Sequence, residues 1–371
     1  MKTFPGRLAV QQRVLPHYRA LFFDLLAGSC EGGMSLFAGE PRLIESIATT
    51  KDLKITQYTP AKNRHLLSGS LYFCYQQNML AWLEDTNPDA LILEANPRYL
   101  ATPAAIKWMR KRGRPVIGWG LGAPQHTGMG AGFRQKNWMR FLNKFDALIT
   151  YSQRGAANYA ALGIPEEKIF VARNAVAPKP KGEMLQRPLY KAQEPLILLY
   201  VGRLQARKRL DNLIRAFENM PKELMLRLWI VGDGPERAAL EKQAAAVNSN
   251  TVEKIRFLGE RHGVELNHAW AETDLFVLPG TGGLAVQEAM SHALPVIVAK
   301  GDGTQDDLVR AENGWQIPPD DLDALTMTLK DALSDIHRLR AMGAESWRIV
   351  REEVNIENMV DVFMQALESV S

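Results

Sequence analysis

The stretch DLFVLPGTGGLAVQEAMSHALPVIVAK, residues 274–300, carries the plan of the fold. Residues 275–278 are apolar on both faces, which reads as a strand buried inside a parallel sheet. Pro279 and the glycines after it end that strand, and a helical pattern runs on from Leu284. A second apolar run, 295–299, follows. Strand, turn, helix and strand in this order form the repeating unit of an open parallel sheet covered by helices on both faces.

The same alternation extends in both directions. In the second half, strands are expected at 196–201, 224–231 and 255–258. Leu210, Leu213, Ile214 and Phe217 give the helix between the first two its apolar face, at i, i+3, i+4, i+7 spacing. In the first half, strands are expected at 8–14, 53–58, 89–94, 115–119, 146–151 and 168–172. Helices are expected at 71–84, 101–112 and 155–162. Between the halves lie Pro178, Pro180, Pro188 and Pro195 without an apolar period, which reads as a linker. The expected fold is therefore α/β, with two doubly wound Rossmann-like domains. They span residues 1–175 and 196–349, joined by a linker at 176–195, and a helix in 350–371 packs back on the first domain. Open parallel sheets bind ligands at the carboxyl ends of their strands, so a site is expected in a cleft between two such domains.

Composition narrows the function. The chain has 371 residues, 46% hydrophobic and 23% charged, which excludes a disordered, collagenous or coiled-coil protein. Residues 1–175 hold 22 Lys and Arg against 12 Asp and Glu, a balance of +10. With +4 overall, the remainder carries 4 − 10 = −6. A basic half of this kind is expected to face an anionic ligand or surface. Cys30 and Cys74 are too few for a disulfide framework or a zinc site, which points to a reducing compartment. With no apolar run near the roughly 18 residues a span needs and no signal-peptide core, a cytoplasmic location is expected, with peripheral membrane contact through the basic half.

Three stretches carry chemistry. Gly202-Arg203-Leu204 closes a strand, and Lys208 follows shortly after. A planar guanidinium and a point charge together suit a diphosphate, although a solvated helix start would look the same. Gly232, in Val-Gly-Asp-Gly-Pro-Glu, marks a strand-end turn before a helix. Thr281, Gly282, Gly283, Leu284 and Ala285 precede a helix and offer backbone N–H groups to a phosphate or sugar. Glu288 lies one turn on, where a carboxylate can accept hydrogen bonds from vicinal hydroxyls. The pattern is neither a dinucleotide fingerprint nor a P-loop.

With these motifs in this order, residues 196–349 resemble the C-terminal domain of glycosyltransferase family 4, retaining enzymes of the GT-B fold. The resemblance is carried by VGRLQARKRLDNLIRAF (201–217), LWIVGDGPER (228–237), IRFLG (255–259), the opening stretch and ENGWQIPPDD (312–321). It extends less sharply to residues 146–176. It implies that Arg203 and Lys208 bind the donor diphosphate and act in catalysis, and that Glu288 binds the ribose. It also implies that the amides from Gly282 to Ala285 meet the sugar and β-phosphate, and that Glu260 and Arg261 lie against the base. A histidine after Gly118-Trp119-Gly120-Leu121-Gly122 would contact the sugar near the reacting centre, and His126 fits that place. The chain departs from the family where a second Glu usually stands eight residues before the ribose Glu; here that residue is Gly280.

The implied reaction is metal-independent transfer of a hexose with retention, with UDP-glucose as the first donor and GDP-mannose the second. The acceptor would be a saccharide or lipid-linked saccharide, in cell-surface polysaccharide assembly. Arg13, Tyr18, Arg19, Glu94, Arg98 and Tyr99 are the acceptor candidates. The run Lys107, Arg110, Lys111, Arg112, Arg114 fits an anionic membrane or a solvated helix end. No nucleic-acid module accompanies it. Asp321-Leu-Asp323 resembles a metal motif, but its context reads as a helix cap, so no metal is expected there. A nucleotide-sugar 2-epimerase and a silent nucleotide-sugar-binding protein remain as alternatives.

Overall fold

The computed structural model describes residues 2–45, 47–124, 128, 130–189, 194–248, 253–301 and 303–371. The chain divides into two compact units, Met1–Val176 with Ile356–Ser371, and Ala177–Asn355.

In the first unit the strands are β1 (Leu8–Val14), β2 (Met34–Gly39), β3 (Gln57–Pro60), β4 (Lys62–Leu66), β5 (Phe73–Gln77), β6 (Ala90–Glu94), β7 (Val116–Gly120), β8 (Ala147–Thr150) and β9 (Ile169–Val171). Seven of them form a sheet in the order β3-β2-β1-β6-β7-β8-β9, while β4 and β5 pair separately. The second unit has β10 (Leu196–Val201), β11 (Leu226–Val231), β12 (Ile255–Gly259), β13 (Leu275–Leu278), β14 (Val296–Ala299) and β15 (Gly314–Ile317), in the order β12-β11-β10-β13-β14-β15. The pairs within both large sheets are parallel. Each sheet reverses its strand order beside its first strand, β1 or β10, which is the switch point of a doubly wound fold.

Several local readings are corrected. The strand expected at 53–58 begins only at Gln57. The amides of Lys54, Ile55 and Thr56 donate instead to the Asp24 carboxylate, at 2.8, 3.0 and 3.0 Å, and are taken from the ladder. The helix expected at 71–84 is split into β5 and a helix Met79–Thr86, with Asn78 at φ 64° between them. Its aromatic first half pairs antiparallel with β4. β2, fully buried, adds a strand that the sequence reading does not include.

Within the expected linker, Arg187 is anchored. Arg187 donates to the carbonyls of Thr273, Ala293 and Trp270 at 2.7, 2.9 and 3.0 Å, all in the second unit. Burial lowers the pKa of its guanidinium to about 10. The final helix, Ile356–Glu368, belongs to the first unit, where Phe363 packs 5.1 Å from Phe22 and 4.9 Å from Trp119, ring centre to ring centre.

Arg19, expected among the acceptor residues, is buried instead. It is 5% exposed and its guanidinium is ringed by Tyr18, Phe22, Trp119 and Tyr151. It donates to the Ala175 carbonyl and the Asn174 side chain. A cation enclosed in this way fastens the first strand's loop to the end of the unit. It has no free face for an acceptor.

Candidate functional site

A cavity of about 540 Å³ opens at the carboxyl ends of β10, β11 and β12. The chain leaving β10 supplies Gly202 and Arg203, the turn after β11 supplies Gly232 to Gly234, and Glu260, Arg261 and His262 close the third side. The loops are held by backbone pairing beyond the strands. The Gly202 amide donates to Val231 O at 3.0 Å, and the Leu204 amide to Asp233 O at 2.8 Å. The Tyr200 hydroxyl donates to Arg203 O at 3.1 Å. Gly232 sits at φ 128°, and a Cβ there would strike the Gly202 backbone, so the two loops meet only because this residue is glycine. Arg203 is exposed on the cavity wall.

Lys208 is 7% exposed. Its Nζ donates to the carbonyls of Thr281 and Gly282, both at 2.8 Å. The Thr281 amide in turn donates to Arg207 O at 3.2 Å. The strand-end loop of β13 is thus clasped to the segment after β10, and this explains the departure at Gly280. A Cβ on Gly280 would run into the backbone of Arg207 and Lys208. The missing carboxylate leaves no vacant pocket behind it; neighbouring backbone fills the space.

An ammonium has three donors, so one N–H of Lys208 remains for an anion; a neutral amine would spend both of its N–H groups on the two carbonyls. Burial, then Arg207, lowers the Lys208 pKa to about 8. An anion held by this ammonium binds the protonated form better, so its affinity is expected to be full below that value. It should fall as pH rises through it, by up to about tenfold per unit. Titration calorimetry from neutral to alkaline pH checks this; a flat profile in Lys208→Gln alongside a sloping wild type is the expected pair of results.

Glu288 is half-buried in the helix Ala285–Ser291. Burial raises its carboxyl above the ordinary value, against the pull of Trp270 and His262. The residue at the start of that helix, Leu284, provides no side-chain cap to the first-turn amides. Arg261 lines the cavity, but its guanidinium is engaged with Leu258 O at 2.9 Å and Glu265 at 2.8 Å. Asp321 caps the helix Leu322–Ala332 by accepting from the Ala324 amide at 2.9 Å. Among the described residues, no group of three or more His, Cys, Asp or Glu is placed to hold a metal. Arg207, His262 and Trp270 were not singled out from sequence. The first two adjoin residues that were; Trp270 reads as ordinary core.

In the first unit, Arg13 and Glu94 end the neighbouring strands β1 and β6. The Arg13 amide donates to Glu94 at 3.0 Å and its guanidinium to Glu45 at 2.8 Å. Burial works against both partners of the Arg13–Glu45 pair, but the bond outweighs it and the Glu45 pKa falls to about 2. Burial pushes Glu94 up to about 7, against the Arg13 backbone hydrogen bond. Tyr99 is raised by burial and by Glu94. Tyr18 is 39% exposed. Arg98 is exposed near the hairpin, its carbonyl accepting from the Cys74 amide at 3.0 Å. His126 lies outside the described residues. In the polybasic run, Arg112 lies 3.6 Å over Trp108 and pairs with Glu84 at 3.1 Å, while Arg114 donates to Asn87 at 2.7 Å.

Residues 183–346 match the family model for glycosyl transferases group 1. Sulfoquinovosyl transferase SQD2 of Arabidopsis thaliana is 31% identical over 43% of this chain and 30% of its own length. A GDP-mannose-dependent alpha-mannosyltransferase of Mycobacterium tuberculosis is 29% identical over 58% of this chain and 57% of its own. The chain thus spans less than two thirds of these curated relatives. Among solved structures, Anabaena Alr3699/HepE in complex with UDP matches over all of both chains at TM-score 0.68 and 17% identity. The apo lipopolysaccharide outer core galactosyltransferase WaaB matches over 97% and 99% at TM-score 0.66 and 17% identity. The fold is that of GT-B proteins, built from two Rossmann-like units.

Proposed function

We propose that this chain, whose residues 183–346 match the family model for glycosyl transferases group 1, transfers a hexose from a nucleotide sugar to a saccharide or lipid-linked saccharide. The observation that carries the reading is the cavity at the carboxyl ends of β10–β12. Glycine turns and an exposed Arg203 line it, and Lys208 follows in the same strand-end segment, clasped to the Thr281 and Gly282 carbonyls; cations and close backbone of this kind suit a diphosphate. UDP-glucose is the first donor, in line with the Anabaena protein also solved with UDP-glucose. GDP-mannose is the second, in line with the mannosyltransferase relatives.

Transfer proceeds with retention by attack on the face the diphosphate leaves. The acceptor oxygen bonds to the anomeric carbon as the bond to the phosphate oxygen breaks. The acceptor's proton passes to that leaving oxygen. The barrier then depends on stabilising charge on the diphosphate, which Arg203 and the free N–H of Lys208 supply without a metal. Glu288 holds the ribose, and Glu94 with Arg13 and Tyr99 meets the acceptor. The protein works at the inner membrane face, in cell-surface polysaccharide assembly.

The test is nucleotide release from UDP-glucose and GDP-mannose, with and without saccharide acceptors, and NMR of the product anomer. Acceptor-dependent release with an α-linked product is expected. Donor interconversion without acceptor would mean an epimerase, and binding without turnover a silent protein; either result overturns the reading.

A further inference from the structure

The hairpin of β4 and β5 stands apart from the large sheet of the first unit and has two unlike faces. Its inner face is polar and tied down. Asn63 donates to the Arg13 and Glu40 carbonyls at 2.7 and 2.8 Å, and Gln76 to the Gln12 carbonyl at 3.0 Å. His65 meets the Tyr72 hydroxyl at 2.9 Å, and the Tyr72 ring lies under Arg42 at 4.5 Å. The outer face pairs Arg64 with Tyr75 and Leu66 with Phe73, and begins at Lys62. Its tip turns three aliphatic side chains to solvent around Ser68 and Gly69: Leu66, Leu67 and Leu71 are 45, 69 and 63% exposed. Leu100, whose amide donates to the Cys74 carbonyl at 2.9 Å, adds a fourth exposed aliphatic side chain beside it.

A globular surface seldom leaves such a cluster in water without a use for it. The exposed charges on its outer face are cationic, while Glu40 flanks the inner face. Lys62, Arg64 and Arg98 are exposed. No Asp or Glu occurs between Leu53 and Leu83, the stretch that holds the hairpin. An apolar tip backed by aromatic and cationic side chains is the layering of a segment that sits in the headgroup zone of a bilayer.

We infer that the β4–β5 hairpin docks the first unit onto an anionic phospholipid surface, with the leucine tip entering the headgroup region and Lys62, Arg64 and Arg98 meeting phosphate. The idea deepens the proposed action on a lipid-linked acceptor and rests on that reading for its purpose, but not for its test. It moves the membrane contact from the polybasic run to the carboxyl-end side of the sheet, beside Arg13.

The experiment is co-sedimentation of the full chain with vesicles of phosphatidylcholine alone or mixed with phosphatidylglycerol. Binding is expected to the mixed vesicles and to weaken with added salt, whose screening length is about 10 Å at 0.1 M. Leu67→Asn with Leu71→Ser should lower partitioning about tenfold, because it removes the buried apolar area that holds such segments. Leu67 sits at φ 59°, a conformation asparagine adopts more readily than leucine, so the hairpin should keep its fold. As a second readout, Leu67→Trp should show a blue-shifted emission on mixed vesicles. Lys111→Gln should bind as the wild type does. A wild-type chain that ignores phosphatidylglycerol, or a double variant that binds undiminished, overturns the inference. UDP and GDP affinities measured without lipid report separately on the glycosyltransferase reading. Vesicle binding without nucleotide binding would sink that reading and leave the docking intact.

Discussion

Lys208→Ala is expected to lower nucleotide-sugar turnover by about two to three orders of magnitude, the cost of losing one preorganised donor to developing charge. Arg203→Ala should act on the same leaving diphosphate but more simply. Arg203 is exposed and its removal disturbs no packing. Lys208 also holds the Thr281 and Gly282 carbonyls, so its loss frees the loop that precedes the Glu288 helix. The two variants should therefore differ in binding. Arg203→Ala weakens the diphosphate term alone, whereas Lys208→Ala also loosens the loop below Glu288. Single-turnover rates together with calorimetric affinities for UDP and uridine separate the effects. Equal, intact uridine affinity in both variants would refute the clasp. Full turnover in both would refute the diphosphate site itself.

Gly280→Glu is the second large effect, and its direction is counter-intuitive. Family resemblance places a sugar-contacting glutamate at this position, so restoring it should improve the enzyme if the glycine were a mere deletion. The packing says otherwise. A Cβ on Gly280 meets backbone of Arg207 and Lys208, which cannot step aside as a side-chain end can. Overpacking of this kind costs about 1–3 kcal/mol, and more where backbone must move. The shift would pull the Lys208 ammonium off its two carbonyls. The variant should unfold at lower urea concentration and lose nucleotide binding along with turnover. A stable Gly280→Glu chain with wild-type or higher activity would show that the loop yields, and the clasp would then be incidental. Gly280→Ala brings the Cβ without the carboxylate. Similar losses in both variants assign the effect to volume rather than charge.

The doubly wound plan was legible because its signals are local. Residues 275–278 and 295–299 are apolar on both faces, and only the interior of a parallel sheet takes such strands. The glycine turns after β10, β11 and β13 announce themselves by residue type. Readings failed where a distant group changed the local outcome. Residues 54–56 look like strand, but the Asp24 carboxylate collects their amides. Residues 71–77 look like the start of a helix until β4 pairs with them. Arg19 looks like a surface cation of a loop, and only the aromatic ring of Phe22, Trp119 and Tyr151 makes it a buried fastening.

Residue order alone settled the strand–turn–helix repeat, the opposite charge of the two halves, and the cations and glycines at the strand ends, because periodicity and φ preference act over a few neighbouring residues. The spending of Lys208 on two carbonyls, the filling of the space at Gly280, the raised carboxyl of Glu94 and the leucine tip of the hairpin were decided by tertiary structure. Each depends on which distant backbone or side chain arrives within a few ångströms, and burial and hydrogen bonding take their values only at that range.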